Sequence, residues 1–288
     1  MTIDLSTILQ TWEFRPLVLV GLLTAVFLYW RGRRLAPLPP DQNHPALFGA
    51  SLLALAVAWL SPLHELASQL FAMRVLQHLL IISLFTMLFM TSNALPVLVR
   101  GLPLGWGARL AQDPALRQRL TRLTPKGAMW FLFVATVWVW YDPTLHMATV
   151  TRPWLRTIEL TTLLIAASLH WWHITGAQPR LHPKLPFFPH MGYTMAGALP
   201  LKVPGLLLLF SVSVVYTYPA VFLFGLEIDP LLQQRAGGAL IWLFGGIVYS
   251  FTGLRYFSHW LSIEEAKPPQ PTSLWDNEEA MLAPGIDK

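Results

Sequence analysis

The chain has 288 residues, of which 54% are hydrophobic and 12% charged, with Lys and Arg outnumbering Asp and Glu by 20 to 15. Soluble globular domains carry about 25% charged residues, so this composition excludes an ordinary water-soluble domain and points to a chain that lives in lipid. The absence of cysteine excludes disulfides, thiolate zinc sites and iron–sulfur clusters, and basic residues confined to short loops, with no basic–aromatic strip, exclude a nucleic-acid surface.

A helix that crosses a bilayer needs about 20 mostly apolar residues. Apolar runs predict seven spans, at Leu17–Trp30, Pro45–Leu60, Leu66–Met90, Gly127–Tyr141, Ile158–His173, Met195–Tyr218 and Gly238–His259. The stretch before the first run has no basic region, so no cleavable signal peptide is expected. Pro200 and Pro204 predict a kink in the sixth span. Between the third and fourth spans, Asp113-Pro114 reads as an N-cap with proline in the first turn. Arg117, Arg119 and Arg122 follow among leucines, which predicts an interfacial basic helix over about 113–123. The expected fold is therefore all-α, a seven-helix membrane domain over 1–266. A Pro-rich, acidic segment at 267–288 is expected to be a disordered cytoplasmic tail.

Charge sets the expected orientation. With the N-terminus outside, the inner segments 31–44, 91–126, 174–194 and the tail after Gly253 hold fourteen Lys and Arg, against four in the outer ones. That bias places the N-terminus outside and the C-terminus inside.

Polar residues inside the spans are the candidate functional residues, because an ionisable group in hydrocarbon is costly. Arg74, Gln77 and His78 share one helix face by their spacing of three and four. An unpaired buried cation is strongly unfavourable, and Glu159 lies at the matching depth to pair with Arg74. His170 and His173 are three apart near the inner end of the fifth span and could share one ion or one haem edge. His64, Glu65 and His146 add an outer polar zone, while His182 and His190 fall in a Pro-rich loop and are expected to be solvated. No nucleophile–base–acid arrangement stands out, so no catalytic residue and no enzyme activity is expected.

The pattern resembles a known family. "SPLHELASQLF" leading into "MRVLQHLL", the pair Trp171-Trp172, and "GLEIDPLLQQRAGGALIWLFGGIVY" look like the CtaG-like cytochrome c oxidase assembly factors, over roughly Pro45 to Glu265. The resemblance implies a multi-pass protein of the bacterial inner (plasma) membrane that works with haem–copper oxidase subunits and the lipid bilayer. It also implies a membrane-embedded, histidine-based copper site used in copper insertion, for which His78, His146, Glu159, His170 and His173 are the candidate ligands. Three positions depart from the family pattern: Arg74, Tyr141 and Leu160 stand where that pattern has histidine. An Arg74–Glu159 ion pair is the expected replacement for the metal, with Gln77 and His64 as further polar residues of the bundle. The alternative is a haem-binding membrane subunit of a respiratory oxidoreductase, with axial ligands from His78, His170 and His173.

Overall fold

Proline, serine and aspartate decide where most helices begin. The computed structural model describes residues 2–3, 12, 15–35, 43–103, 113–223 and 225–267; the predicted tail segment 268–288 lies outside the described residues. In chain order the helices are α1 (Pro16–Leu35), α2 (Pro45–Leu60), α3 (Pro62–Gln69), α4 (Phe71–Leu79), a π-helical segment (Leu80–Phe85), α5 (Thr86–Thr91), α6 (Leu95–Gly101) and α7 (Pro114–Leu123). They continue as α8 (Lys126–Trp140), α9 (Pro143–Thr151), α10 (Pro153–Thr175), α11 (Phe187–Ala196), α12 (Leu199–Leu209) and α13 (Pro230–Glu265). Proline sits in the first turn of α2, α3, α9, α10 and α13, where its missing N–H costs no intrahelical bond. Asp113, Asp142 and Asp229 cap α7, α9 and α13 by accepting from backbone N–H groups of the first turn. Short strands β1 (Thr2–Ile3), β2 (Phe222–Leu223) and β3 (Leu226–Glu227) form a small sheet in that order, β1 parallel and β3 antiparallel to β2.

Among the described residues, four helical stretches are long and apolar enough to cross a membrane: Pro16–Leu35, Phe71–Thr91, Phe187–Leu209 and Pro230–Glu265. A fifth is the pair α2 plus α3, which bends by 49° at Ser61. The other two predicted spans fall short for separate reasons. Helix α8 has only 15 residues, and α10 carries Arg156, Glu159, His170 and His173 among its apolar residues.

Several boundaries differ from the sequence expectation. The predicted run Leu66–Met90 is broken at Leu70, which is extended (φ −127°, ψ 121°), so Leu66 belongs to α3 and a new helix starts at Phe71. The predicted sixth span, Met195–Tyr218, restarts at Leu199 and ends at Leu209. Beyond it, the side chain of Gln234 replaces helical partners, accepting from the N–H of Val215 (2.6 Å) and Tyr216 (3.2 Å). The β-branched run Val212, Val214 and Val215 also disfavours continuing the helix. Arg156, assigned to an outer loop by the apolar run alone, is helical and buried, because α10 begins at Pro153 rather than at Ile158.

The core is built where α4, the π segment, α8, α10 and α13 pack together, around Phe71, Ile81, Phe133, Leu163, Trp171 and Tyr249. Helices α12 and α13 pack closely at Gly238, where a Cβ would lie 2.5 Å from the Leu209 nitrogen and 2.8 Å from the Gly205 carbonyl oxygen. Lys202, on α12, stays over the ring of Trp242 on α13, 4.3 Å from its centroid. Gly238→Leu should therefore force the two helices apart and lower stability by about 1–3 kcal/mol, the usual cost of overpacking. The midpoint of thermal unfolding in detergent would register it, and an unchanged midpoint would show that the contact is soft.

Candidate functional site

The polar residues of α3, α4, α9 and α10 meet the 211–221 connection in one buried cluster. Arg74, Gln77 and His78 are fully buried, as are His146 and Glu159. Arg74 Nη2 donates to Glu159 Oε2 at 2.6 Å and also to Thr149 Oγ1. Thr149 Oγ1 in turn donates to the His146 carbonyl at 2.7 Å. The other carboxylate oxygen, Glu159 Oε1, lies 3.3 Å from His78 Nε2, but the approach is off-line and neither atom completes a hydrogen bond.

His146 is held by both ring nitrogens. Its Nδ1 is 3.2 Å from the Trp140 carbonyl and its Nε2 is 2.8 Å from the Tyr218 hydroxyl. A carbonyl only accepts, so the proton sits on Nδ1 and the Nε2 lone pair accepts from Tyr218. Tyr216 packs on the same ring at 4.5 Å between centroids and stacks on Phe71 at 4.6 Å, which seals the cluster from above.

A second layer continues toward α3. Arg156 Nη2 donates to Gln77 Oε1 at 3.2 Å and to the His64 carbonyl. Gln77 Nε2 donates to the Ala58 carbonyl (2.6 Å) and to His64 Nδ1 (2.8 Å). The amide nitrogen can only donate, so the His64 Nδ1 lone pair is occupied as well.

The structure thus brings together Arg74, Glu159, His78, His146, Gln77 and His64. It adds Arg156, Thr149, Tyr216 and Tyr218, which the sequence reading did not single out. Two of these had a signal: Arg156 is three residues before Glu159 and Thr149 three after His146, and each pair shares a helix face. Tyr216 and Tyr218 had none, because the run around them reads as helix until the chain is seen to leave it.

His170 and His173 lie elsewhere, toward the opposite end of α10, and do not converge on one point. The His170 ring stacks on Phe133 (4.9 Å, 6°) with Nδ1 3.2 Å from the Tyr193 hydroxyl, whereas His173 Nε2 is 3.0 Å from the Thr124 carbonyl. Space at His170 is set by Gly197, where a Cβ would come within 2.3 Å of His170 Nε2 and 2.7 Å of the Tyr249 ring. With Gly197 against its Nε2, His170 has no open slot for a macrocycle on that side, and His173 turns to a different partner. His182 and His190, expected to be solvated, are packed instead: His182 Nε2 is 3.1 Å from Thr124 Oγ1, and His190 lies 4.6 Å from the Tyr256 ring. Partial burial, then the ammonium of Lys126, lowers the His182 imidazole below its usual range.

Copper, the metal that the sequence resemblance implies, does not fit the α4–α9–α10 cluster. A copper site needs several free lone pairs on imidazole, thioether or carboxylate. Those of His146 Nε2 and His64 Nδ1 accept hydrogen bonds, Arg74 has none, and only His78 and Glu159 Oε1 keep theirs free, one imidazole and one carboxylate oxygen. Among the described residues, no three His, Asp or Glu side chains converge as a ligand set. The buried charge works in the same direction, since among the described residues two guanidiniums, Arg74 and Arg156, face one buried carboxylate, Glu159. A further cation would be repelled.

The family model for the cytochrome c oxidase caa3 assembly factor (Caa3_CtaG) matches residues 22–262. The chain belongs to this family. The match spans every residue of the buried cluster, from His64 to Tyr218. Among curated proteins and solved structures, none matches the chain significantly. A caa3 assembly factor with several apolar helices is a membrane protein associated with cytochrome c oxidase, and the cluster lies inside its helical bundle.

Proposed function

We propose that the protein is a seven-span factor of the bacterial plasma membrane, N-terminus outside and C-terminus inside, that assists assembly of a haem–copper oxidase as a scaffold for its subunits. In this reading α8 and α10 cross the bilayer despite their length and polarity, because their polar residues face the bundle interior and not lipid. The excess of basic residues in the inner segments, fourteen against three once Arg156 is placed inside the bundle, supports the orientation.

The observation that carries the scaffold reading is the fully buried Arg74–Glu159 pair beside His78. A guanidinium stands in the place where a metal cation would have to sit, and it already supplies the charge that Glu159 needs. The chain keeps the family fold while its cluster acts as a fastener between α4, α9 and α10. It is not an enzyme in this reading, since His64 and His146 are held by hydrogen bonds and no activated nucleophile faces the cluster.

Copper quantification on the purified protein tests this. We expect substoichiometric copper, unchanged by His78→Ala, together with loss of assembled oxidase from membranes of a strain that lacks the protein. One copper per chain that disappears in His78→Ala would establish a copper-handling role at His78 and Glu159 instead. A visible haem spectrum in the purified protein would favour the haem-subunit alternative.

A further inference from the structure

The opposite end of the bundle holds a cavity of ≈350 Å³, between the end of α10, the 176–186 connection, the start of α11 and the last turns of α13. Lys126, Arg180, Lys184 and His182 line it, together with Trp260 and Ile263, and among the described residues no Asp or Glu does. A neighbouring cavity of ≈510 Å³ shares Arg180 and Tyr256, adds Arg255, and again has no carboxylate in its wall among the described residues.

The end of a helix is normally hostile to anions, because its last carbonyls carry partial negative charge. Here several carbonyls at and just beyond the end of α10 are covered. Tyr256 OH donates to the Ile174 carbonyl (2.6 Å), Arg180 Nε to the Gly176 carbonyl (2.9 Å) and Trp172 Nε1 to the Ala177 carbonyl (2.9 Å). The nearby carboxylate Glu264 is engaged by Lys267 at 2.6 Å. What remains facing the cavity is cationic.

The outer wall is of a different kind. Phe187 stacks on Trp260 at 4.7 Å, and Phe188 and Ile263 are exposed beside them. Cations next to an exposed aromatic and aliphatic wall, at the level where membrane helices end, match a charged headgroup with an acyl chain below it.

We infer that this cavity binds the headgroup of an anionic phospholipid, with the acyl chain against the Phe187–Trp260 wall. The cationic lining alone would serve free phosphate equally well, and the apolar wall is what selects the lipid.

The test uses the full chain purified in detergent and titrated with dioctanoyl phosphatidylglycerol, dioctanoyl phosphatidylcholine or inorganic phosphate. Binding is read by native mass spectrometry and by the shift in unfolding temperature. The expected result is a preference for phosphatidylglycerol that falls about fivefold for each cation removed in Arg180→Gln and Lys184→Gln. Both side chains are exposed, so folding should survive. Arg119→Gln, an exposed cation on α7, is the control and should leave the preference intact. Equal binding of the two lipids, or a preference that survives the double substitution, would overturn the inference. So would inorganic phosphate reproducing the whole effect, which would assign a phosphate site and no lipid site.

Discussion

Replacing Arg74 with leucine should lower stability by about 3–5 kcal/mol, the cost of leaving one member of a buried ion pair without its partner. Glu159→Leu should be at least as harmful. It leaves Arg74 and Arg156 buried together with no carboxylate between them, and it also removes the group beside His78. The informative variant is the double one, Arg74→Leu with Glu159→Leu. Removing both charges removes both desolvation penalties, and buried pairs replaced by apolar residues are often neutral or better. We expect the double variant to recover most of the loss, giving a large coupling energy in a double-mutant cycle on unfolding temperature and membrane abundance. If Arg74→Ala left both measurements at the wild-type value, the pair would not be structural.

The second large effect is expected at Trp171. It is fully buried, stacks on Tyr249 at 4.8 Å, and its Nε1 donates to the Ile82 carbonyl at 3.0 Å. Ile82 lies inside the π-helical segment Leu80–Phe85, where the widened turn disturbs the ordinary backbone pairing. The indole thus both fills the core and satisfies a main-chain acceptor. Trp171→Ala should cost about 3–5 kcal/mol, as large-to-small core substitutions of tryptophan do. Trp171→Phe keeps most of the volume and loses only the hydrogen bond, and because the Ile82 carbonyl still accepts from Thr86 Oγ1 at 2.7 Å, it should cost about 0.5–1.5 kcal/mol. A Phe variant as damaged as the Ala variant would show that the hydrogen bond outweighs the packing.

Much of the membrane character was legible because apolar runs dominate everything else in this composition. The face shared by Arg74, Gln77 and His78 follows from helical periodicity alone, and the likeness to oxidase assembly factors follows from short blocks such as "SPLHEL" and "LQHLL". Three features were hidden for physical reasons. Leu70 leaves the helix without a proline or glycine to announce it, so one apolar run became two helices. The segment around Tyr216 and Tyr218 is apolar but takes its backbone partners from the distant Gln234, and hydropathy does not see side chains eighteen or nineteen residues away. Arg156 was read as a loop cation because charged residues end apolar runs, whereas here the helix begins earlier and the bundle absorbs the charge. The divergence of His170 and His173 was also invisible. A spacing of three puts two rings on one side of a helix, but their neighbours, Phe133 for one and Thr124 for the other, decide where each nitrogen is used.

Helix α13 runs for 36 residues, about 54 Å at 1.5 Å per residue, well beyond the roughly 30 Å thickness of a bilayer's hydrocarbon core. One continuous rod thus carries Gln234, which pins the Tyr216 segment over the buried ion pair, and Trp260, which walls the basic cavity. The two ends of the protein are mechanically tied. A tilt of this rod at its Trp260 end would shift Gln234 at its start, and with it the backbone segment that carries Tyr216.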